Sequence, residues 1–94
     1  MDWSVQHGSG KLLVFTNETG GTVTDVQFRL RGAAVGGTFS RRDWSLKVPE
    51  MGPGKAIEAP FKAALGKESN PPRMEITWIS PAGDSRSEVL SLPL

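Results

Sequence analysis

"KLLVFTNETGGTVTDVQFRL", residues 11–30, carries two different alternating patterns. Over residues 11–17, Leu13 and Phe15 fall on one side of an extended chain and Leu12 and Val14 on the other, so this strand is apolar on both faces. Asn17, Thr19, Gly20 and Gly21 then break the run with turn chemistry. Over residues 24–31, Val26, Phe28 and Leu30 alternate with Asp25, Gln27, Arg29 and Arg31. A period of two with one charged face marks a strand that is half in a core and half in water.

The same alternation recurs on both sides of this stretch. Residues 3–7 form a first strand, closed by Gly8-Ser9-Gly10. Residues 32–40 are small and glycine-rich and read as a loop or an irregular edge segment. Residues 43–48 give a fourth strand, with Trp44, Leu46 and Val48 on its buried side. "PEMGPG", residues 49–54, is a turn in which Pro53 supplies a fixed φ and Gly54 tolerates a positive one, as type II requires. Residues 56–63 follow with Ile57, Ala59 and Phe61 inward; Pro60 cannot donate to a ladder, which argues for a sheet edge or a solvent-facing position.

"GKESNPP", residues 66–72, is a polar connection to a sixth strand at 73–79, with Met74, Ile76 and Trp78 inward. "SPAGD", residues 80–84, turns the chain into a last strand at 86–92, with Leu90 and Leu92 inward. The helix-forming residues of "AIEAPFKAALGKE" suggest a competing helical turn near Lys62 to Leu65, opposed by Pro60. Seven strands separated by turn signals specify an all-β, antiparallel β-sandwich with Greek-key connections. Its expected core is Leu13, Phe15, Val26, Phe28, Leu30, Leu46, Ile57, Phe61, Met74, Ile76, Trp78, Leu90 and Leu92.

Ninety-four residues make one domain, 1–94, and the 11 glycines and seven prolines leave no room for a long helix. With no cysteine, disulfides and thiolate chemistry are excluded. A net charge of +1 argues for neither nucleic acid nor an anionic membrane on bulk electrostatics. The longest apolar run, residues 12–15, is far below the roughly 20 residues of a membrane span. Asp2 follows Met1 with no apolar leader, giving the expectation of a cytoplasmic protein with no membrane partner.

Catalytic signals are sparse. His7 has only Gln6 and Gly8 beside it, and no nucleophile elbow appears. There is no metal-ligand spacing, and "GGTVT" and "GPGKA" are not phosphate loops. The expectation is therefore a chain that is no enzyme and uses no cofactor or metal. Arg29, Arg31, Arg41 and Arg42 gather around one loop region, with Lys47 beyond and Trp44 as a candidate stacking ring, as single-strand binders use. Against that stands a cross-strand Arg29–Glu75 pair on an outward sheet face. Thr77, Ile79 and Val89 add an outward apolar patch. Leu12 and Val14 need a cover: a partner, a second protomer or, preferred, the N-terminal strand with Trp3 and Val5.

"LLVFTNETGGTVTDVQFRL", "VPEMGPGKAIEAPF" and "MEITWISPAGDSRSEVLSLPL" together resemble bacterial immunoglobulin-like modules of the CARDB (cell-adhesion-related) type, over residues 11–94. The resemblance implies an immunoglobulin-like seven-stranded sandwich, with Asn17 holding its turn through the side chain and Gly52-Pro53-Gly54 redirecting the chain. The chain is also similar to small stand-alone proteins of actinobacteria and their phages that share a "W…N…PG…W…LP" pattern. The resulting expectation is a non-catalytic module that binds another protein through Arg29, Arg31, Arg41, Arg42, Thr77, Ile79 and Val89. A small bacterial or phage protein engaging a host factor and a structural or virion-associated accessory both fit. An arginine-led single-stranded nucleic-acid binder is the rival, and a homodimer through a sheet edge is a further option.

Overall fold

The structure, a computed structural model, describes residues 2–64 and 70–94. Among these, eight strands and no helix are present: β1 (Trp3–His7), β2 (Leu12–Asn17), β3 (Val23–Arg31), β4 (Ala34–Gly36), β5 (Ser45–Met51), β6 (Ala56–Ala63), β7 (Arg73–Ile79) and β8 (Ser85–Ser91). They form two antiparallel four-stranded sheets, β1-β2-β6-β4 and β5-β3-β7-β8, in a sandwich-like arrangement. β1–β2 and β7–β8 are hairpins within a sheet; every connection between β2 and β7 changes sheets.

Eight strands replace the expected seven because the glycine-rich segment contains β4. Gly36 and Gly37 make that strand possible. A Cβ at Gly36 would lie 2.5 Å from Phe61 Cε1, and one at Gly37 would lie 2.7 Å from Trp44 Cδ1. The two glycines thus form a bare backbone floor under the Trp44 and Phe61 rings, which meet edge to face at 4.9 Å. Trp44 precedes β5 but keeps its register, Leu30 N–H donating to Trp44 O at 3.0 Å, and packs on the core on the same side as Val48.

β5 itself starts later than residue 43 and runs through Pro49 to the buried Met51. The turn shrinks accordingly: Lys55 N–H donates to Gly52 O at 3.1 Å across Pro53 and Gly54, whose φ of 78° gives the expected type II geometry. Pro60 does not mark an edge, since β6 lies between β2 and β4. Phe61 N–H reaches Lys11 O on the β2 side, so the ring nitrogen of Pro60 faces the β4 side. There β4 has already ended, and Gly37 N–H donates to Pro60 O at 2.8 Å. β6 continues as strand through Ala63, which removes the helical turn at its start; Leu65 lies outside the described residues, as does most of "GKESNPP".

Twelve of the thirteen expected core positions are buried or pack on the core. Leu46 is the exception, 36% exposed, because it sits on an edge strand opposite a sheet that ends in the three-residue β4. Trp3, Val23, Ala34 and Met51 are core positions the alternation did not reveal. Trp3 contacts Phe28 at 5.6 Å and Trp78 at 5.7 Å, both edge to face. Val5 pairs with Phe15 and Trp3 with Asn17, so both residues of β1 face inward with their partners. They cannot cover Leu12 and Val14, which point the other way.

Asn17 is the buried polar residue of this core. Its Nδ2 lies 3.0 Å from each of three carbonyl oxygens, Gly21, Met51 and Gly52. Two protons serve three acceptors, so one is shared. Its Oδ1 accepts from Thr19 N–H at 3.0 Å and Thr19 Oγ1 at 2.7 Å. The expected role of Asn17 in its own turn holds, and it also ties that turn to the one after β5.

Two outcomes follow. Asn17→Ala strands several buried carbonyls and lowers stability by about 3 kcal/mol or more. Asn17→Asp is worse than Ala, because it aims a carboxylate at three carbonyls; urea midpoints with unchanged slope test the order. An Asp variant near wild type would refute the donor role. Among the described residues Trp3 Nε1 is buried with no acceptor. Trp3→Phe removes that orphan donor with the indole and costs less than half of Trp3→Ala, for which about 3–5 kcal/mol is expected in the same assay.

Candidate functional site

The outward face of the β5-β3-β7-β8 sheet is a grid fixed by register. Ser45, Arg29, Glu75 and Val89 form one row across the four strands. Lys47, Gln27, Thr77 and Ser87 form the next. Arg31, Arg73 and Ser91 extend the face at one end, and Glu50, Thr24, Ile79 and Ser85 close it at the other. Five expected site residues, Arg29, Arg31, Thr77, Ile79 and Val89, therefore share one surface. Val89, on the edge strand β8, is 55% exposed.

Side-chain reach redirects the expected ion pair. Arg29 is opposite Glu75, yet the Glu75 carboxylate pairs with Arg31 at 3.4 Å. Arg29 turns to the Gln27 amide instead, donating to its oxygen at 3.3 Å. Both contacts are exposed, and pairs of this kind contribute about 0–1 kcal/mol. Their stronger effect is on the field. Lys47, Arg29, Arg31 and Arg73 stand against Glu75 at one end, while Asp25 and Glu50 lie at the other.

Asp25 sits in a β-bulge between Thr24 and Gln27 with a φ of 48°, a left-handed conformation uncommon for a side-chain-bearing residue. The bulge splits the face into two depressions. One, of about 410 Å³, is bounded by Asp25, Gln27, Lys47 and Pro49. The other, of about 330 Å³, is bounded by Asp25, Thr77, Ile79, Ser85 and Ser87.

Arg41 and Arg42 do not join this surface. A bridge between Gly36 and Arg41 builds a tight hairpin on β4, at the edge of the opposite sheet. Phe39, 85% exposed, is at its tip. Arg41 donates from Nε and one terminal nitrogen to both Asp43 oxygens, at 3.1 and 3.2 Å. That two-pronged hydrogen bond, and then the opposite charge, hold the Asp43 carboxyl below its usual range and the Arg41 guanidinium above its own. Trp44 packs on Phe61, away from the cationic rows.

Lys47, expected beyond the arginine cluster, joins this face, whereas Arg73 and Phe39 are surface residues that the sequence pattern did not single out. Parity would have found Arg73, since it shares the outward phase of its strand. Phe39 had a weaker signal: a lone large ring between Gly36-Gly37 and Ser40 has too little chain to fold back on.

His7 is exposed at the end of β1, opposite Leu13. Among the described residues no group of three His, Asp or Glu side chains could hold a metal ion, and no helix is long and apolar enough to cross a membrane.

The lowered Asp43 value has a definite sign. The pair's favourable contribution is complete above the unfolded-state carboxyl range and is lost as pH falls through the lower folded value. In a carbon-detected NMR titration Asp43 changes protonation at lower pH in the wild type than in Arg41→Gln. Identical Asp43 midpoints in the two proteins would show that the pair does not persist in solution.

Compared with known proteins, the chain matches no family model, no curated protein and no solved structure.

Proposed function

We propose that this domain is a non-catalytic protein-binding module, a sandwich of immunoglobulin-like, Greek-key type that docks an acidic partner protein on the outward face of β5-β3-β7-β8. The repeated sheet changes between β2 and β7 support the fold-type reading. The observation that carries the function is the co-location of Arg29, Arg31, Arg73 and Lys47 with the exposed Val89 and the half-buried Ile79 on one face. Guanidinium groups give strong, directional hydrogen bonds to carboxylates, and apolar residues beside them supply the desolvated contact that charges alone lack.

The partner is another protein, in keeping with a small cytoplasmic, phage- or bacterium-encoded protein that engages a host factor, or with a structural or virion-associated accessory. Single-stranded nucleic acid is the weaker alternative, because the cationic rows carry no exposed ring for stacking: Trp44 is packed on Phe61, and Phe39 projects from the hairpin on the opposite sheet.

Affinity purification of the tagged protein, from nuclease-treated and untreated lysates in parallel, tests the reading. A partner retained in both, and lost with Val89→Asp and with Arg73→Glu, supports it. Both positions face solvent, so each variant should unfold within about 0.5 kcal/mol of wild type. Recovery that disappears with nuclease, or binding untouched by both substitutions, refutes it.

A further inference from the structure

The outward face of the other sheet, β1-β2-β6-β4, has a different character. Its rows read Ser4, Thr16 and Ala56, then Gln6, Val14 and Glu58, then Leu12 and Pro60, then Lys62 and Val35. Leu12, Val14, Pro60 and Val35 make an apolar strip over the middle of the sheet, and each is half-buried by its neighbours in the monomer. The N-terminal strand does not cover this strip, because Trp3 and Val5 face the core.

Only two side chains on this face of the four strands are charged, Glu58 and Lys62, and both are exposed. Neither has an ion-pair partner among the described residues. They lie on the same strand, two residues before and two after Pro60. With a rise of about 3.4 Å per residue, opposite charges thus stand about 7 Å to either side of the Leu12–Pro60 row.

We infer that this face is the interface of a symmetric homodimer. A twofold axis crossing the strands at the level of Leu12 and Pro60 sets Leu12 and Pro60 against their own copies. The same rotation exchanges the two ends of β6, so Glu58 of each protomer meets Lys62 of the other. An isologous interface requires a surface complementary to itself, and an apolar centre flanked by opposite charges at equal distances meets that requirement. It also commits the occupant to a second copy, since an unrelated protein has no need of the mirrored spacing. Four strands by three row spacings is roughly 19 by 20 Å, at the small end of specific interfaces, so the dimer is weak and reversible. The β5-β3-β7-β8 face stays open in it, and the inference stands independently of the docking reading above.

Sedimentation equilibrium from about 1 μM to about 1 mM, the range in which small interfaces associate, is the test. Wild type moves from monomer to dimer across this range. Glu58→Lys and Lys62→Glu each place like charges together and weaken the dimer at least about tenfold. The double exchange Glu58→Lys/Lys62→Glu restores it, and an equimolar mixture of the two single variants forms a heterodimer that neither forms alone. Far-UV circular dichroism confirms that these exposed substitutions leave the fold intact. A wild type that stays monomeric at about 1 mM overturns the inference, as does a dimer indifferent to the charge exchanges, which would have to use another surface.

Discussion

One carboxamide sets the geometry at one end of this domain. Asn17 ends β2, and its side chain bonds the carbonyls of Gly21 in the next turn and of Met51 and Gly52 after β5. Backbone bonds run alongside, from Asn17 N–H to Lys55 O at 2.8 Å and from Gly54 N–H to Asn17 O at 2.9 Å. β2 belongs to one sheet and β5 to the other, so the side chain couples the sheets through polar contacts as well as through the core. A buried amide is costly when left unpaired and only modestly favourable when paired, which makes such a group a better selector of geometry than source of stability. Few other side chains could serve. The site needs donors toward three carbonyls and an acceptor toward Thr19, both on a short stem, and the Asn amide carries the two at one carbon.

Aromatic rings carry the coupling away from that end. Trp3 touches Phe28 and Trp78, Phe28 touches Phe15, Phe15 touches Phe61, and Phe61 touches Trp44. The chain of rings steps back and forth between the sheets and ends on the glycine floor of β4. Each large ring buries on the order of 150–250 Å², so these few residues dominate the apolar area of a small core. The N-terminal strand is held at both of its surfaces: Trp3 inserts its ring, and its backbone N–H donates to Glu88 Oε1 of β8 at 3.0 Å. That contact occupies an edge donor of β1 and blunts strand addition at that position.

What was legible in the sequence was whatever alternation governs. β1, β6 and β7 have the expected limits, and β2, β3 and β8 lie within a residue or so of theirs, because each places apolar residues at every second position against a filled core. β4 was illegible for a physical reason: its defining feature is the absence of side chains, and the rings that require this absence, Trp44 and Phe61, are remote in sequence from each other. Leu46 has the right period and the wrong outcome, since period specifies a face and says nothing of whether the opposite sheet reaches that far. The expected surface was partly legible on the same terms. Positions on regular strands, such as Arg29 and Thr77, were brought together by register. Arg41 and Arg42, beyond a segment with no periodic signal, went to the other sheet's edge. The Arg31–Glu75 pair required side-chain reach along the diagonal, which register alone does not supply.

The two outward faces then differ for a reason visible in β2 and β3. β3 alternates apolar with charged residues, so its outer face is one that water solvates, and its cations remain available for charged contacts. β2 does not alternate: Leu12 and Val14 bring apolar surface to the side away from the core, where a strand of an antiparallel sheet is normally polar. Exposed apolar side chains are common singly and need no explanation. Here half-buried ones are contiguous across three strands, with Pro60 and Val35 completing the strip, and the two charges on β6 are divided to its two sides. A solvated face would intersperse its charges. A face divided in this way lowers its free energy by meeting its own image, because that one arrangement removes apolar surface from water and brings each charge to its opposite.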